Sequence, residues 1–329
     1  MVAHAPPRII GHRGAKGCAP ENTLASICAA KAQGCAWVEV DVMLSKDKFL
    51  VIHHDNKLDR CTDAHGYVWD LTFEELQKLD AGSHFHASYA GERIPRLGEV
   101  IACCHENALM LNLEVKHVTE EASSTPTVEE AAMEEELAML VCDEIERLKV
   151  QPQDLVFSSF SRVCISVLRR RLPHITCAFL VEIIPDDWAE FYDEHQCVSL
   201  NFDHTSNTRE QVEECRRSRP DVPLFSYTVN DPARALELLT WGVSGVFSDH
   251  PALVEAGILQ QERADGVIHP APLVNAGAAA VASEAPTEVG CEAACGISVI
   301  REQGGLRRNK SWADMALDSL GESAFSAPA

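Results

Sequence analysis

No apolar run in the 329-residue chain approaches the roughly 20 residues that a membrane-crossing helix requires, so no membrane span is expected. The first ten residues hold no long apolar core, and no secretory leader is expected there. Positive charge is scarce: 28 Lys and Arg stand against 50 Asp and Glu, a net charge of −22. A nucleic-acid backbone would meet a repulsive field over such a surface, which argues against a general nucleic-acid binder. Divalent cations are compatible partners. An anionic small molecule is compatible only where Arg, Lys or a metal reverses the sign locally. The 13 cysteines include no CxxC pair, and several, such as Cys164, Cys177 and Cys197, sit in apolar runs. That pattern fits reduced, buried thiols in a cytoplasmic protein better than a disulfide framework or a zinc site.

What the chain does have is length and rhythm. With 46% apolar and 24% charged residues it can bury a large core, and one barrel of roughly 250 residues plus an extra segment fits the length better than two equal domains. Strand-like runs alternate with helical patterns over the first 255 residues, as in a parallel α/β sheet. Eight such runs fall at about 8–11, 37–42, 109–115, 155–158, 176–181, 197–202, 223–229 and 244–248. A ninth, Phe49 to His54, follows Val42 too closely for a crossover helix and should pair antiparallel with the strand before it. Leu24, Ile27 and Cys28 recur at helical spacing after Asn22-Thr23, and Gly34 closes that helix; Ala235 to Trp241 closes in the same way at Gly242. The pattern predicts a closed (β/α)8 TIM barrel over residues 1–262.

Three segments break the rhythm. Residues 55–100, with Tyr67, Trp69, Phe73, Phe85 and Tyr89, read as a small insertion beside the barrel mouth, after the second strand's hairpin. The Glu-rich stretch at 117–136 reads as an exposed loop entering the acidic first turns of a helix, with Thr127 and Glu130 as a capping box. From 263 to 329 the composition turns to Ala, Gly, Ser, Pro and Glu, and a disordered low-complexity tail is expected. Within it Arg307-Arg308-Asn309-Lys310-Ser311 has the form of a basic phosphorylation motif, a pattern too short to carry weight.

The chemically strong side chains collect where strands end, which is where barrels place their chemistry. Glu39 and Asp41 are two residues apart on one strand and therefore share a face, while Val38, Val40 and Val42 take the other. By the same alternation Asn112, Glu114 and Lys116 face inward on the next barrel strand. Three inward carboxylates near one rim repel one another unless neutralised, and make a hard oxygen site suited to one divalent cation, Mg²⁺ or Ca²⁺. His12 ends the first strand, where an imidazole can move a proton near neutral pH. Arg13 beside it can grip phosphate oxygens in a bidentate manner. His53 and His54 are neighbours on a strand, so only one of them can join this group, and alternation alone does not choose. The set suits metal-assisted attack on a phosphate ester.

The ordered pieces His12-Arg13-Gly14, Pro20-Glu21-Asn22-Thr23, Glu39-x-Asp41, His54-Asp55, Glu114-x-Lys116, Ser158-Ser159-Phe160, Thr228-Val229-Asn230 and Gly245-Val-Phe-Ser-Asp249 resemble the glycerophosphodiester phosphodiesterase family over about residues 8–255. Asp186-Asp187-Trp188 is similar to the compact bacterial cytoplasmic branch. The resemblance implies a TIM barrel, a divalent metal, and hydrolysis of a small-molecule glycerophosphodiester to sn-glycerol 3-phosphate and an alcohol. It implies metal ligation by Glu39, Asp41 and Glu114, acid–base catalysis by His12 and His54, and phosphate contacts from Arg13 and Lys116. The nucleophile is then water or the substrate's neighbouring glycerol hydroxyl. Two other readings compete: a phospholipase D-like enzyme acting on lysophospholipids through the aromatics of 55–100, and a non-catalytic phosphodiester-binding protein. A barrel endonuclease fits the carboxylates but not the charge. Oligomeric state has no signature in the sequence.

Overall fold

A computed structural model describes residues 7–118 and 126–266. The described residues up to Ile258 form one compact unit. Residues 267–329, which include most of the expected tail and its basic motif, lie outside the described residues.

The elements follow the predicted rhythm: β1 (Ile9–Gly11), α1 (Leu24–Ala32), β2 (Trp37–Leu44), β3 (Leu50–Ile52), α2 (Phe73–Leu76), α3 (Leu97–Glu106) and β4 (Met110–Val115). Then come α4 (Val128–Leu148), β5 (Leu155–Ser159), α5 (Arg162–Arg171), β6 (Thr176–Val181), α6 (Trp188–Glu194), β7 (Ser199–Asp203), α7 (Arg209–Ser218), β8 (Leu224–Tyr227), α8 (Pro232–Thr240), β9 (Gly245–Ser248) and α9 (Pro251–Ala264). Eight strands, all but β3, pair in parallel in one continuous order, and the β1–β2 and β1–β9 pairings close the sheet into a barrel. β3 runs antiparallel to β2, with Val42 opposite Ile52. Among the described residues no helix is long and apolar enough to cross a membrane.

Side-chain alternation divides the core in two. Val38, Val40 and Val42 of β2 and Leu111, Leu113 and Val115 of β4 pack outward against the helices in one large cluster. Inside, Ile10, Phe225 and Phe247 form a small apolar plug. The insertion has a third core of its own, in which Leu58, Val68, Phe73, Leu76 and Ile94 gather under Met43 and Val51 of the hairpin. Thiols behave as expected: Cys164, Cys177 and Cys197 are free and buried.

Two boundaries differ from expectation. The insertion ends before α3, which begins at Leu97 and packs as a barrel helix with Leu97, Val100 and Cys104 buried. α9 continues to Ala264, past the point where the composition changes. The capping box of Thr127 and Glu130 forms at the start of α4 as predicted. Glu134 departs from the reading of a solvated acidic face, because it is only 1% exposed. Its carboxylate accepts bonds from Val118 N (3.2 Å) and Ser161 Oγ (2.6 Å), tying α4 to the segments that follow β4 and β5.

The turn after β1 is the tightest in the site. Arg13 takes φ +49° and Gly14 φ +83°, a left-handed pair that reverses the chain so that Gly14 N can donate to Glu39 O at 3.1 Å. A Cβ on Gly14 would lie 2.4 Å from Ser26 Oγ and 2.5 Å from the Ser26 carbonyl carbon. Gly14→Ala should therefore destabilise the fold by about 1–3 kcal/mol, measured as a lower urea midpoint; an unchanged midpoint would show that α1 can move away at no cost.

Candidate active site

Register brings the predicted acids together. Asp41 pairs with Glu114 across β2–β4, and Glu39 pairs with Asn112 one layer deeper. One oxygen each from Glu39, Asp41 and Glu114 lie within 4.8 Å of one another, and Glu39 and Asp41 are almost fully buried. Glu39 Oε1 and Asp41 Oδ1 have no hydrogen-bond partner. Buried, unsatisfied carboxylate oxygens of this number and hardness fit a divalent cation.

Cationic side chains frame the acids. Lys116 Nζ donates to Glu114 Oε1 at 2.7 Å and lies 3.4 Å from Asp41 Oδ1. Arg13 places its backbone N on Glu39 Oε2 (2.9 Å) and its Nε 3.5 Å from Asp41 Oδ2. Asn22, itself in the left-handed region at φ +58°, clasps Asp41 from the other side. Its Nδ2 donates to Asp41 Oδ2 at 2.8 Å and its Oδ1 accepts from Asp41 N at 3.2 Å. Burial opposes ionisation of Asp41, but His54, Lys116 and Arg13 outweigh it and hold this carboxyl well below the usual range. Burial and the charge of Asp41 push Glu39 the other way, well above it. Glu114 also rises through burial, with Lys116 working against the shift. Lys116 stays charged because Glu114 and Asp41 overcome its desolvation.

Two histidines face the same cavity, each with Nδ1 2.6 Å from a carboxylate: His12 on Asp249, His54 on Asp55. Burial lowers both imidazoles, His12 with help from Arg13 and His54, with help from Lys116 and Arg13, down to about 4. Hydrogen bonds from the imidazoles keep both aspartates ionised against burial, Asp249 at about 2 and Asp55 below the usual range. An ionised carboxylate requires a hydrogen on Nδ1, which leaves Nε2 of each neutral ring as a proton acceptor. Asp249 is fixed in turn by Asn230, whose Nδ2 donates to Asp249 Oδ2 (2.8 Å) while its Oδ1 accepts from Asp249 N (2.8 Å) and Ser248 Oγ (3.1 Å). His53, by contrast, is buried away from the cavity, its Nε2 at 3.2 Å from Lys57 O.

The cavity has a volume of about 420 Å³. Its lining combines His12, Arg13, Glu39, His54 and Glu114 with the largely apolar side chains of Phe160, Leu180, Tyr227 and Phe247, and includes Asp203 and His204. Phe160 and Tyr227 meet edge to face with ring centroids 5.9 Å apart. Five of the seven site residues expected from the sequence line this cavity; Asp41 and Lys116 lie off the lining, Asp41 grouped with the other two acids and Lys116 in contact with Asp41 and Glu114. Asp249, Asn230, Asn22 and Glu21 stand in the quoted motif pieces without a role that spacing could assign, because each acts through a partner 8 to 237 residues away. Asp203 and His204 carried no signal at all.

Residues 12–253 match the sequence model of the glycerophosphoryl diester phosphodiesterase family. The chain is 31% identical over 244 residues to the glycerophosphodiester phosphodiesterase of Caldanaerobacter subterraneus, covering 74% of this chain and 94% of that protein. It is 30% identical over 265 residues to a glycerophosphodiester phosphodiesterase of Bacillus subtilis, covering 76% and 86%. Among solved structures, an Oleispira antarctica phosphodiesterase in complex with the product sn-glycerol-3-phosphate is similar with a TM-score of 0.69 and 34% identity, covering 77% of this chain and 96% of that one.

The depressed Asp249 has a consequence for stability. Its folded pKa (about 2) lies below its ordinary 3.8, so its contribution is complete above the unfolded value and is lost as pH falls through the folded one. Asp249→Asn should therefore lower the urea midpoint near neutral pH and lower it progressively less below about pH 4. A deficit that stays constant across that range would mean the carboxylate's charge is not what His12 and Asn230 stabilise.

Proposed function

The chain belongs to the glycerophosphoryl diester phosphodiesterase family and is a hydrolase, and from that premise we propose that it hydrolyses glycerophosphodiesters to sn-glycerol 3-phosphate and an alcohol by acid–base catalysis beside a divalent cation. The observation that carries this reading is the placing of two carboxylate-held imidazoles on one cavity beside a buried triad of acids.

Glu39, Asp41 and Glu114 would hold the cation, Mg²⁺ or Ca²⁺, which when bound supplies a Lewis acid toward a phosphate oxygen. Arg13 and Lys116 neutralise the charge that builds on the remaining oxygens in the transition state. One histidine takes the proton of the nucleophile, water or the adjacent glycerol hydroxyl, through its free Nε2. The other, carrying a second proton at Nε2 as an imidazolium that its aspartate stabilises, gives that proton to the departing alkoxide. Asp249 and Asp55 stabilise whichever ring becomes charged, so neither need move. The apolar wall of Phe160, Leu180, Tyr227 and Phe247 excludes water from one side of the phosphate and gives carbon-bound parts of the substrate a surface to lie on.

The test is a panel of glycerophosphocholine, glycerophosphoethanolamine, glycerophosphoglycerol and glycerophosphoinositol, assayed for glycerol 3-phosphate with and without EDTA and with Mg²⁺ or Ca²⁺ restored. Release from at least one substrate, abolished by EDTA and recovered by a cation, is expected; turnover that ignores EDTA would remove the cation from the reading. His12→Ala and His54→Ala should each lose about 10²–10⁴-fold in kcat. Either variant retaining near wild-type turnover would exclude that residue from proton transfer. Cation binding should also release protons, because Glu39 and Glu114 carry raised pKa values and must ionise to ligate. Calorimetric titration in buffers of different ionisation enthalpy reads this directly, and a binding heat independent of buffer would contradict it.

A further inference from the structure

Arg60 lies outside every residue assigned above, in the insertion that follows β3, yet its guanidinium joins the two halves of the site. On one edge Nε donates to Asp55 Oδ2 (2.7 Å) and Nη2 to Asp55 Oδ1 (3.0 Å). Toward Glu21, Nη1 donates to Oε2 (2.6 Å) and Nη2 to Oε1 (2.8 Å). Asp55 Oδ1 also holds His54 Nδ1, and Glu21 Oε1 also accepts from Arg13 Nη1 at 2.7 Å. A continuous chain of charge-assisted bonds therefore runs His54–Asp55–Arg60–Glu21–Arg13. A planar fork is the one side chain able to serve two carboxylates bidentately at once.

Arg60 is a surface residue, its side chain 44% exposed, but its backbone is held in place. It stands on a turn pinned by fully buried Leu58, by Thr62, whose N and Oγ1 both donate to Leu58 O (3.1 and 2.8 Å), and by His53 at the Lys57 carbonyl. This gives the buried histidine of the His53-His54 pair a place in the architecture. It braces the turn that carries Arg60, while His54 reaches the cavity. Lys16 is a second cation near Glu21, at 3.6 Å, but it makes a single long contact and none to Asp55.

We propose that Arg60 is a positioning residue: it couples the orientation of His54, through Asp55, to that of Arg13, through Glu21, so that the insertion sets the spacing between proton transfer and phosphate grip. Without it, two carboxylates a few ångströms apart lose their shared counter-charge and repel. Asp55 is then free to swing from His54, and Glu21 to draw Arg13 away from Asp41. The inference rests on the roles proposed for His54 and Arg13, but its central contact can be read without turnover.

Arg60→Ala, assayed with glycerophosphocholine in the cation-loaded full-length protein, should lose about 10–100-fold in kcat/KM, with kcat falling and KM rising together because both ends of the chain are affected. Arg60→Lys should recover little of this, since an ammonium cannot bond both carboxylates in two-point geometry. Added methylguanidine should restore activity to Arg60→Ala but not to wild type, a rescue that a purely structural role would not give. In an Asp55→Asn background the kcat loss caused by Arg60→Ala should shrink to under about twofold, since the coupled residues do not act independently, while the KM increase carried through Glu21 persists. Wild-type rates in Arg60→Ala, or kcat losses that simply multiply in the double variant, would overturn the proposal. In parallel, the downfield proton resonance of His54 Nδ1–H should shift or broaden in Arg60→Ala; an unchanged resonance would overturn the coupling even in a protein that released no glycerol 3-phosphate. Absence of turnover in wild type itself would instead overturn the proposed hydrolysis.

Discussion

Everything at the barrel mouth depends on holding three carboxylates within 4.8 Å of one another in a buried place. Like charges at that separation cannot all be ionised without compensation, and the low dielectric of the interior amplifies the conflict. The protein's answer is asymmetric. Asp41 receives Lys116, Arg13 and a two-point clasp from Asn22, and stays ionised. Glu39 and Glu114 keep raised proton affinities, and only a cation of higher charge would relieve them fully.

The supporting network shows how much of the fold is spent on orientation. Each cavity histidine has a carboxylate at Nδ1, and each of those carboxylates has its own anchor: Asn230 for Asp249, Arg60 for Asp55. The anchors come from opposite ends of the domain, one from the loop after β8 and one from the insertion. The left-handed turn at Arg13-Gly14 brings Arg13 back against β2, at a backbone strain that the bonds from Arg13 N and Gly14 N to Glu39 offset.

Much of this was legible before any coordinates. Alternation along β2 and β4 separated Glu39, Asp41 and Glu114 from the valines and leucines between them, because the strand period of two is rigid. The hairpin of β3 followed from a gap too short for a crossover. Helix ends followed from Thr23, Thr127 and Gly34, whose capping is local. The misjudgements were of a different kind. Glu134 sat in an acidic run that looked exposed, and its burial goes with bonds from Val118 and Ser161 in the segments that follow β4 and β5. The insertion's end was placed late because α3 gives no break in composition at Leu97.

The sequence by itself determined the period of every strand, hence which side chains share the barrel interior, and through its ordered motifs the family chemistry those side chains serve. It left open which of His53 and His54 faces the cavity as a matter of alternation, gave Asn22 only a share in a helix N-cap, and assigned no purpose to Glu21, Arg60, Asn230 or Asp249. Tertiary structure decided those. Their roles consist of hydrogen bonds between residues 5 to 237 positions apart, and most of these contacts exist only once barrel closure has set β9 beside β1 and folded the insertion over the rim. Local periodicity is a property of the backbone and can be read along the chain; the orientation of an imidazole by a distant carboxylate is a property of the closed sheet.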